Sequence, residues 1–247
     1  MLVTDKISLL LPVHNEAGNI ERVIRSFYNE LHEKVPLEIV VAEDGSTDGT
    51  KEILQSLSKE IPLTLLMDDE RRGYLGGLRA GLSKVTGNYV LFCDSDGQHD
   101  ATDFWKLYES RDGCDIVSGW RINRADSFHR KVMSRTFQWF AKVIFSLPSL
   151  HDITAPYRLI KTNIAQRVSM DVKYMVESYW TEFTIRACTM GARIKEVPVR
   201  HNDRLSGTTR VYGLSKIPRI VASQFVSLFK IREELNGTLV SSRCNSR

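Results

Sequence analysis

The sequence predicts an α/β fold with a mostly parallel central sheet and helices on both of its faces. Short, uninterrupted apolar runs alternate with segments whose apolar residues recur at helical spacing, and polar clusters rich in Asp, Asn and Gly follow the runs. Uninterrupted apolar strands are typical of parallel sheets that are covered on both sides. Ligands of such sheets bind beyond the carboxyl ends of the strands, so the polar clusters mark the expected functional edge.

The strand and helix alternation is clearest before residue 93. The apolar run at 7–13 precedes a helical face formed by Ile20, Val23, Ile24, Phe27 and Leu31. Further strands are predicted at 38–42, 63–67 and 89–93, with helices through Leu57 and Leu82 between them. This order predicts strands that lie side by side in one sheet.

Residues 115–200 are predicted to complete the same domain. We expect a strand at 115–120, a helix from about 127 to 146 and a strand at 192–199. No linker divides the chain, so residues 1–232 are predicted to form one domain that ends in an amphipathic helix at about 215–232. The polar residues 233–247 are predicted to form a disordered tail.

Charge and composition limit the classes of partner. The net charge is +4, but residues 191–247 carry eleven Lys and Arg against four Asp and Glu, which gives that segment +7. A basic segment favours an anionic partner such as phosphate or anionic lipid. No nucleic acid is expected, because stacking aromatics are not interleaved with these cations.

The location of the protein is predicted from its apolar segments and cysteines. The four cysteines form no C-x-x-C pair, which is typical of a reducing compartment. We find no signal peptide and no apolar run of the ~18 to 20 residues that span a membrane. The sequence predicts a cytoplasmic protein whose helix at 215–232 either contacts a membrane surface or packs on the core.

The stretch VLFCDSDGQHD, residues 90–100, places three carboxylates directly behind a predicted buried strand. Ionised carboxylates that are crowded together repel one another, so a positive species is expected there. The oxygens of Asp94, Asp96 and Gln98 suit Mg²⁺ or Mn²⁺ that also binds phosphate. The alternative is a solvated turn in which Asp100 caps a helix.

Two other clusters are predicted at the same edge of the sheet. Asp44 ends the second strand, where a carboxylate in a nucleotide-binding sheet commonly accepts hydrogen bonds from ribose or base. The segment RRGYLGG, residues 71–77, offers cations and glycines at a helix start, which favours bound phosphate but also occurs in plain turns.

Five cations lie within fifteen residues, at 121–135, across the start of the predicted helix at 127–146, and an apolar segment follows them. Such a cluster suits a ligand with a phosphate head and a hydrocarbon tail. The alternative is a buried helix with a charged end. The cations are Arg121, Arg124, Arg130, Lys131 and Arg135.

Seven motifs occur in order between about residues 6 and 232. They are PVHNEAGNI, EDGSTDGT, RRGYLGGLRAGL, DSDGQH, DIVSGWR, HDITAPYRL and RLSGTTR. Together they resemble the family 2 inverting glycosyltransferases, most closely the dolichol-phosphate mannose synthase and polyprenyl-phosphate glycosyltransferase branch. The resemblance implies a GT-A type fold and transfer of a hexose, such as mannose or glucose, from a GDP- or UDP-sugar to dolichyl or polyprenyl phosphate. It also implies peripheral contact with the cytoplasmic face of a membrane, in some relatives through a small membrane partner.

The resemblance assigns residues to the donor. It implies that the nucleotide sugar contacts Pro12, His14, Glu16, Asp44 and Asp94, and that a Mg²⁺ or Mn²⁺ ion is held by Asp94, Asp96 and Gln98. Arg204 and Arg210 match two cations of a loop expected to close over the diphosphate. Asp96, Arg204 and Arg210 are thus the predicted catalytic residues.

The resemblance also assigns the acceptor phosphate to Arg121, Ser134 and Arg135. A phosphate acceptor is already anionic, so Asp96 is expected to serve the metal and not to act as a base. Two alternatives stay open from the sequence. One is a glycosyltransferase with a glycan or protein acceptor, and the other is a nucleotide-sugar-binding module without turnover.

Overall fold

The computed structural model describes residues 4–122, 128–203 and 217–244. Its strands are β1 (Ile7–Val13), β2 (Leu37–Asp44), β3 (Leu63–Asp68), β4 (Tyr89–Phe92), β5 (Ile116–Arg121), β6 (Arg158–Lys161) and β7 (Ile194–Val199). Its helices are α1 (Ile20–Leu31), α2 (Thr50–Leu57), α3 (Gly73–Leu82), α4 (Phe104–Glu109), α5 (Phe128–Phe145), α6 (Thr162–Asp171), α7 (Tyr179–Thr189) and α8 (Ile217–Cys244). Short 3-10 turns precede α4 and α7 at Ala101–Asp103 and Val176–Ser178.

The strands form one seven-stranded sheet in the order β3-β2-β1-β4-β6-β5-β7. Pairing is parallel from β3 through to β4 and again between β5 and β7. β6 runs antiparallel to both of its neighbours, β4 and β5. The predicted α/β class is confirmed, and the sheet is mixed because of this one reversed strand.

Helices cover both faces of the sheet, and the alternation of side chains along β1 shows how. Leu9 and Leu11 point into the core shared with α1, whereas Leu10 points into the core shared with α3. All five apolar residues predicted for the α1 face are buried. The continuous apolar runs of the sequence therefore reflect strands that are buried on both sides.

A third apolar cluster joins α5, α7 and α8 beside the sheet. Ala141, Ile185, Leu228 and Ile231 are buried at its centre. None of the helices in the described ranges is long and apolar enough to cross a membrane.

The C-terminal helix continues well beyond residue 232, where a disordered tail was predicted to begin. Residues 233–244 are helical, which corrects that prediction. Glu234 explains part of this extension, because its carboxylate lies 3.4 Å from the guanidinium of Arg186 and 3.1 Å from the ammonium of Lys173. Leu235 also packs on the third apolar cluster.

Glu182 on α7 is an internal anchor of this region. The residue is fully buried, and its carboxylate accepts hydrogen bonds from the backbone N–H groups of Lys173, Tyr174 and Met175. It also pairs at 2.8 Å with Arg186, one turn further along α7. A single carboxylate thus connects the chain after α6 to the body of α7.

Candidate active site

A cavity of about 250 Å³ lies at the carboxyl ends of β1, β2 and β4, beside the start of α3. Its lining brings together six residues predicted for the donor and metal from segments far apart in the sequence: Pro12, His14, Glu16, Asp44, Asp94 and Asp96. The structure therefore places the predicted donor residues around one cavity at the predicted edge of the sheet. Because these residues lie at the carboxyl ends of buried strands, the packing of the strands in the core positions them at that edge.

The loops after β1 and β2 hold each other in place beside this cavity. The backbone N–H of Asn15 donates to Ser46 Oγ at 2.8 Å, and the N–H of Thr47 donates to Asn15 Oδ1 at 2.8 Å. His14 Nδ1 lies 2.7 Å from the carbonyl oxygen of Asp44. Because a carbonyl only accepts, Nδ1 carries the proton in this contact, and the ring is fixed at the cavity wall.

Asp44 caps α3. Its carboxylate accepts hydrogen bonds from the backbone N–H groups of Arg72 and Gly73, and it lies 3.9 Å from Arg71 Nε. The helix start at 71–77, which was predicted to bind phosphate, thus already gives two of its N–H groups to a side chain. A carboxylate has further lone pairs, so the predicted nucleoside contact of Asp44 stays a prediction.

Asp94 and Asp96 concentrate negative charge on the cavity wall. Removal from water, and next the charge of Asp96, raise the pKa of Asp94 to about 7, against the opposing effect of a hydrogen bond from Tyr74. A divalent cation would relieve this repulsion, and carboxylate oxygens are the ligands that Mg²⁺ and Mn²⁺ prefer. Within the described residues no three His, Cys, Asp or Glu side chains form a complete metal cluster. The two carboxylates fit a metal whose remaining ligands come from an amide oxygen and from substrate phosphates.

Gln98 connects this region to the chain after β7. Its side-chain Nε2 donates to the carbonyl of Asn202 at 3.0 Å, and the N–H of Asn202 donates back to the Gln98 carbonyl at 2.9 Å. The nitrogen of the amide is therefore engaged, which leaves its oxygen as the atom suited to a metal. Arg204 and Arg210, the predicted diphosphate cations, lie outside the described residues.

A second cavity of about 530 Å³ adjoins the first and shares Arg71, Gly73, Tyr74 and Asp94 with it. Arg121, predicted to bind the acceptor phosphate, lies on its wall. The guanidinium of Arg121 contacts both carboxylate oxygens of Asp152, at 2.8 and 3.2 Å, and Thr154 Oγ1 at 2.9 Å. This bidentate pair fixes the cation at a cavity that also reaches Asp94.

The other two residues predicted for the acceptor lie on α5. Arg135 is exposed, and Ser134 Oγ accepts a hydrogen bond from Gln138 Nε2 at 3.0 Å. Neither residue lines the two cavities as described. Of the other cations in that cluster, Arg124 lies outside the described residues, and the structure describes the helix but not the side chains at Arg130 and Lys131.

Arg158 holds the loop that carries Thr154. Its guanidinium is buried and donates to the carbonyls of Ala155 at 2.7 Å and Ile153 at 2.9 Å, and to Thr184 Oγ1 at 2.8 Å. Burial lowers the pKa of Arg158 to about 10, so the group is charged near neutral pH. This arginine supports the second cavity from below the surface.

Most residues that line the second cavity have no role predicted from the sequence, and Tyr74, Thr154 and Trp180 are among them. Tyr74 lay inside a segment that was interpreted only for its cations and glycines. Trp180 lay in a segment with no recognised motif. The contact between Tyr74 and Trp180 joins α3 to α7, and no local pattern of the sequence encodes it.

Comparison with known families identifies the class of protein. The family model described as "Glycosyl transferase family 2" matches residues 8–170, which include all but the first residue of β1, the strands β2 to β6 and both carboxylates of the site. The chain belongs to this family, and it is a glycosyltransferase.

Two relatives of known name match most of the length of the chain. The dolichol-phosphate mannosyltransferase of Pyrococcus furiosus is 25% identical over 249 residues, covering 90% of this chain and 68% of that protein. The polyprenol monophosphomannose synthase of Mycolicibacterium smegmatis is 26% identical over 225 residues, covering 85% and 82%.

Solved structures share the fold. A mannosyltransferase from Pyrobaculum calidifontis, in complex with GDP-Man and Mn²⁺, matches 92% of this chain and 65% of its own, with a TM-score of 0.64 and 22% identity. Glucosyl-3-phosphoglycerate synthase from Mycobacterium tuberculosis, in complex with Mn²⁺, UDP-glucose and phosphoglyceric acid, matches 93% and 80%, with a TM-score of 0.69 and 17% identity. These likenesses confirm the GT-A type of the fold.

Proposed function

We propose that residues 1–232 form one catalytic domain that transfers a hexose, mannose or glucose, from a GDP- or UDP-sugar to dolichyl or polyprenyl phosphate, with inversion and with a divalent metal. The observation that carries this proposal is the pair of cavities that meet at Asp94. One has the predicted donor residues on its wall, and the other has the cation predicted for the acceptor phosphate. The names of the two sequence relatives support the same type of acceptor.

The first cavity, called the donor cavity below, is proposed to bind the nucleotide sugar and the metal. Pro12, His14, Glu16 and Asp44 line the side where the nucleoside would bind. Asp94, Asp96 and Gln98 would hold Mg²⁺ or Mn²⁺, which supplies positive charge for the diphosphate that leaves. Arg204 and Arg210 are proposed to add to this charge from the loop after β7.

The second cavity, called the acceptor cavity below, is proposed to bind the lipid phosphate. Arg121 would orient the lipid phosphate, and Asp152 keeps the guanidinium in the position seen here. An oxygen of the phosphate attacks the anomeric carbon while the bond from that carbon to the nucleoside diphosphate breaks, which inverts the anomeric centre. Because the phosphate is already anionic, no residue has to remove a proton. Ser134 and Arg135 are proposed to bind the same phosphate from α5.

We further propose that the protein lies at the cytoplasmic face of a membrane and contacts it through the α5/α8 surface. This surface consists of the exposed apolar side chains of Trp139, Phe140, Val143, Val226 and Phe229. Trp139 is 59% exposed and Phe229 55% exposed, although both are large apolar groups. Exposed cations at Arg135, Lys230 and Arg232 lie on the same two helices, which suits anionic headgroups.

Removing apolar area from the α5/α8 surface should weaken membrane binding. For the double variant Trp139→Ser and Phe229→Ser we expect partitioning onto phosphatidylglycerol vesicles to fall by about 10-fold or more, because each side chain contributes buried apolar area. Sedimentation with vesicles measures the change. Met170→Ser is the matched control, since Met170 is 70% exposed but lies on α6. Equal partitioning of the double variant and the wild type would refute the proposal that the α5/α8 surface contacts the membrane.

The transfer itself is tested with purified protein, Mn²⁺ or Mg²⁺, a short polyprenyl phosphate and labelled GDP- and UDP-sugars. We expect label to enter the lipid phase from one donor, and only with metal present. Absence of lipid labelling from every donor, with nucleotide-sugar binding intact, would overturn the lipid-phosphate acceptor and favour a glycan or protein instead.

A further inference from the structure

Tyr74 lies on the wall shared by the donor and acceptor cavities. It is the second residue of α3, and its half-buried ring packs on the core beneath the sheet. Its hydroxyl lies 3.2 Å from Asp94 Oδ1 and 2.9 Å from Trp180 Nε1. Asp94, which follows β4, and Trp180, which lies on α7, thus both contact the hydroxyl group of Tyr74.

The direction of these two hydrogen bonds follows from the chemistry of the groups. An indole N–H only donates, so Trp180 must donate to the oxygen of Tyr74. The hydroxyl has one hydrogen, and an ionised carboxylate only accepts, so that hydrogen goes to Asp94. When Asp94 is charged, both hydrogen bonds therefore have a fixed direction: Trp180 donates to Tyr74, and Tyr74 donates to Asp94.

Trp180 is itself held by the strand that leads to the carboxylates. Its ring packs edge-on against Phe92, the last residue of β4, with ring centroids 5.0 Å apart. The guanidinium of Arg158 lies 4.8 Å from the centre of the same ring. Only 5% of Trp180 is exposed, so its indole N–H is fixed relative to β4.

We propose that Tyr74 is a positioning residue for the metal: it fixes the Asp94 carboxylate through Oδ1 and leaves the other lone pairs of that group for the divalent cation. Trp180 acts one step further away, by orienting the Tyr74 hydroxyl. This inference rests on the proposed function, because it assumes a cation at Asp94 and Asp96. It adds that α7, on the acceptor side, contributes to metal binding on the donor side.

Tyr74→Phe tests this inference, because it removes the hydroxyl and keeps the ring. We expect the affinity for Mn²⁺ in the presence of GDP or UDP, measured from the electron paramagnetic resonance signal of free Mn²⁺, to fall by about 10-fold or more. We also expect the Mn²⁺ concentration for half-maximal transfer to rise, while the rate at saturating Mn²⁺ recovers to within about threefold of the wild type. A change that only reduced the amount of folded enzyme would lower the maximal rate and leave the Mn²⁺ dependence unchanged.

Two other variants complete the test. Tyr157→Phe is the matched control, since Tyr157 is also buried but its hydroxyl has no hydrogen-bond partner among the described residues. We expect its Mn²⁺ affinity to equal that of the wild type. Trp180→Phe keeps Tyr74 and removes only the N–H that orients it, so a smaller loss in the same direction is expected.

The outcomes separate this inference from the proposed function. Mn²⁺ affinities of Tyr74→Phe and Trp180→Phe equal to that of the wild type would overturn the positioning role and leave the proposed transfer untouched. Failure of the wild type to bind Mn²⁺ with either nucleotide would overturn the metal assignment and this inference together. Metal-independent labelling of the lipid would in that case still support the transfer.

Discussion

Replacing Asp96 by Asn should reduce sugar transfer by about 1000-fold or more, because charge stabilisation by a bound metal contributes several kcal/mol to the transition state. Asp96 lines the donor cavity next to Asp94, and an amide is a weaker and uncharged ligand. We expect the loss mainly in kcat, with donor binding weakened but detectable by calorimetry. Steady-state rates at saturating donor, acceptor and Mn²⁺ measure the effect.

Asp100 provides the matched control within the same stretch of sequence. Its carboxylate accepts a hydrogen bond from the N–H of Thr102 at 2.9 Å and lies 3.1 Å from Arg200, so it caps the turn before α4. Asn is an equally good cap, and Asp100→Asn should keep transfer near the wild-type rate. A metal-dependent enzyme that tolerates Asp96→Asn as well as Asp100→Asn would contradict the role given to Asp96.

Glu182→Gln should cause the largest loss of stability, about 3–5 kcal/mol in the free energy of unfolding. The buried carboxylate accepts three backbone N–H groups and pairs with Arg186. An amide turns one acceptor into a donor, so it leaves buried N–H groups unsatisfied and removes charge from beside a buried guanidinium. Urea unfolding followed by circular dichroism gives the free energy.

The control for Glu182 is Glu33→Gln, the same chemical change at an exposed side chain. Surface substitutions of this kind change stability by about 0.5 kcal/mol or less. If Glu182→Gln unfolded at the same urea concentration as Glu33→Gln, the carboxylate would not be the anchor of the segment before α7.

The residues of the first cavity could be predicted because each lies next to a strand that is recognisable from a short stretch of sequence. The strands β1, β2 and β4 are short apolar runs that end at residues lining the first cavity or lead directly to them, so the sequence predicts Asp44, Asp94 and Asp96 at one edge of the sheet. The helix α1 was equally clear, since its five apolar residues repeat at helical spacing. The family resemblance adds the expectation that these side chains face the donor.

The acceptor half was less predictable because its contacts are distant in the sequence. Arg121 pairs with Asp152, and Trp180 reaches Tyr74 across more than a hundred residues. β6 has only four residues and continues directly into α6, so it gives no strand signal of its own. Asp44 shows a similar limit, since its sequence position cannot reveal that it caps a helix starting 29 residues later.

The reversed direction of β6 has a consequence for which segments of the chain form each cavity. In the parallel strands, cavity residues follow the strand, but β6 brings its beginning to the same edge, next to the end of β4. The segment before it, with Asp152 and Thr154, therefore reaches the acceptor cavity from a connection that no donor residue shares. We therefore expect a change of length or sequence in that connection to act first on the second cavity, because Thr154 and Pro156 line that cavity and no residue of this segment lines the first.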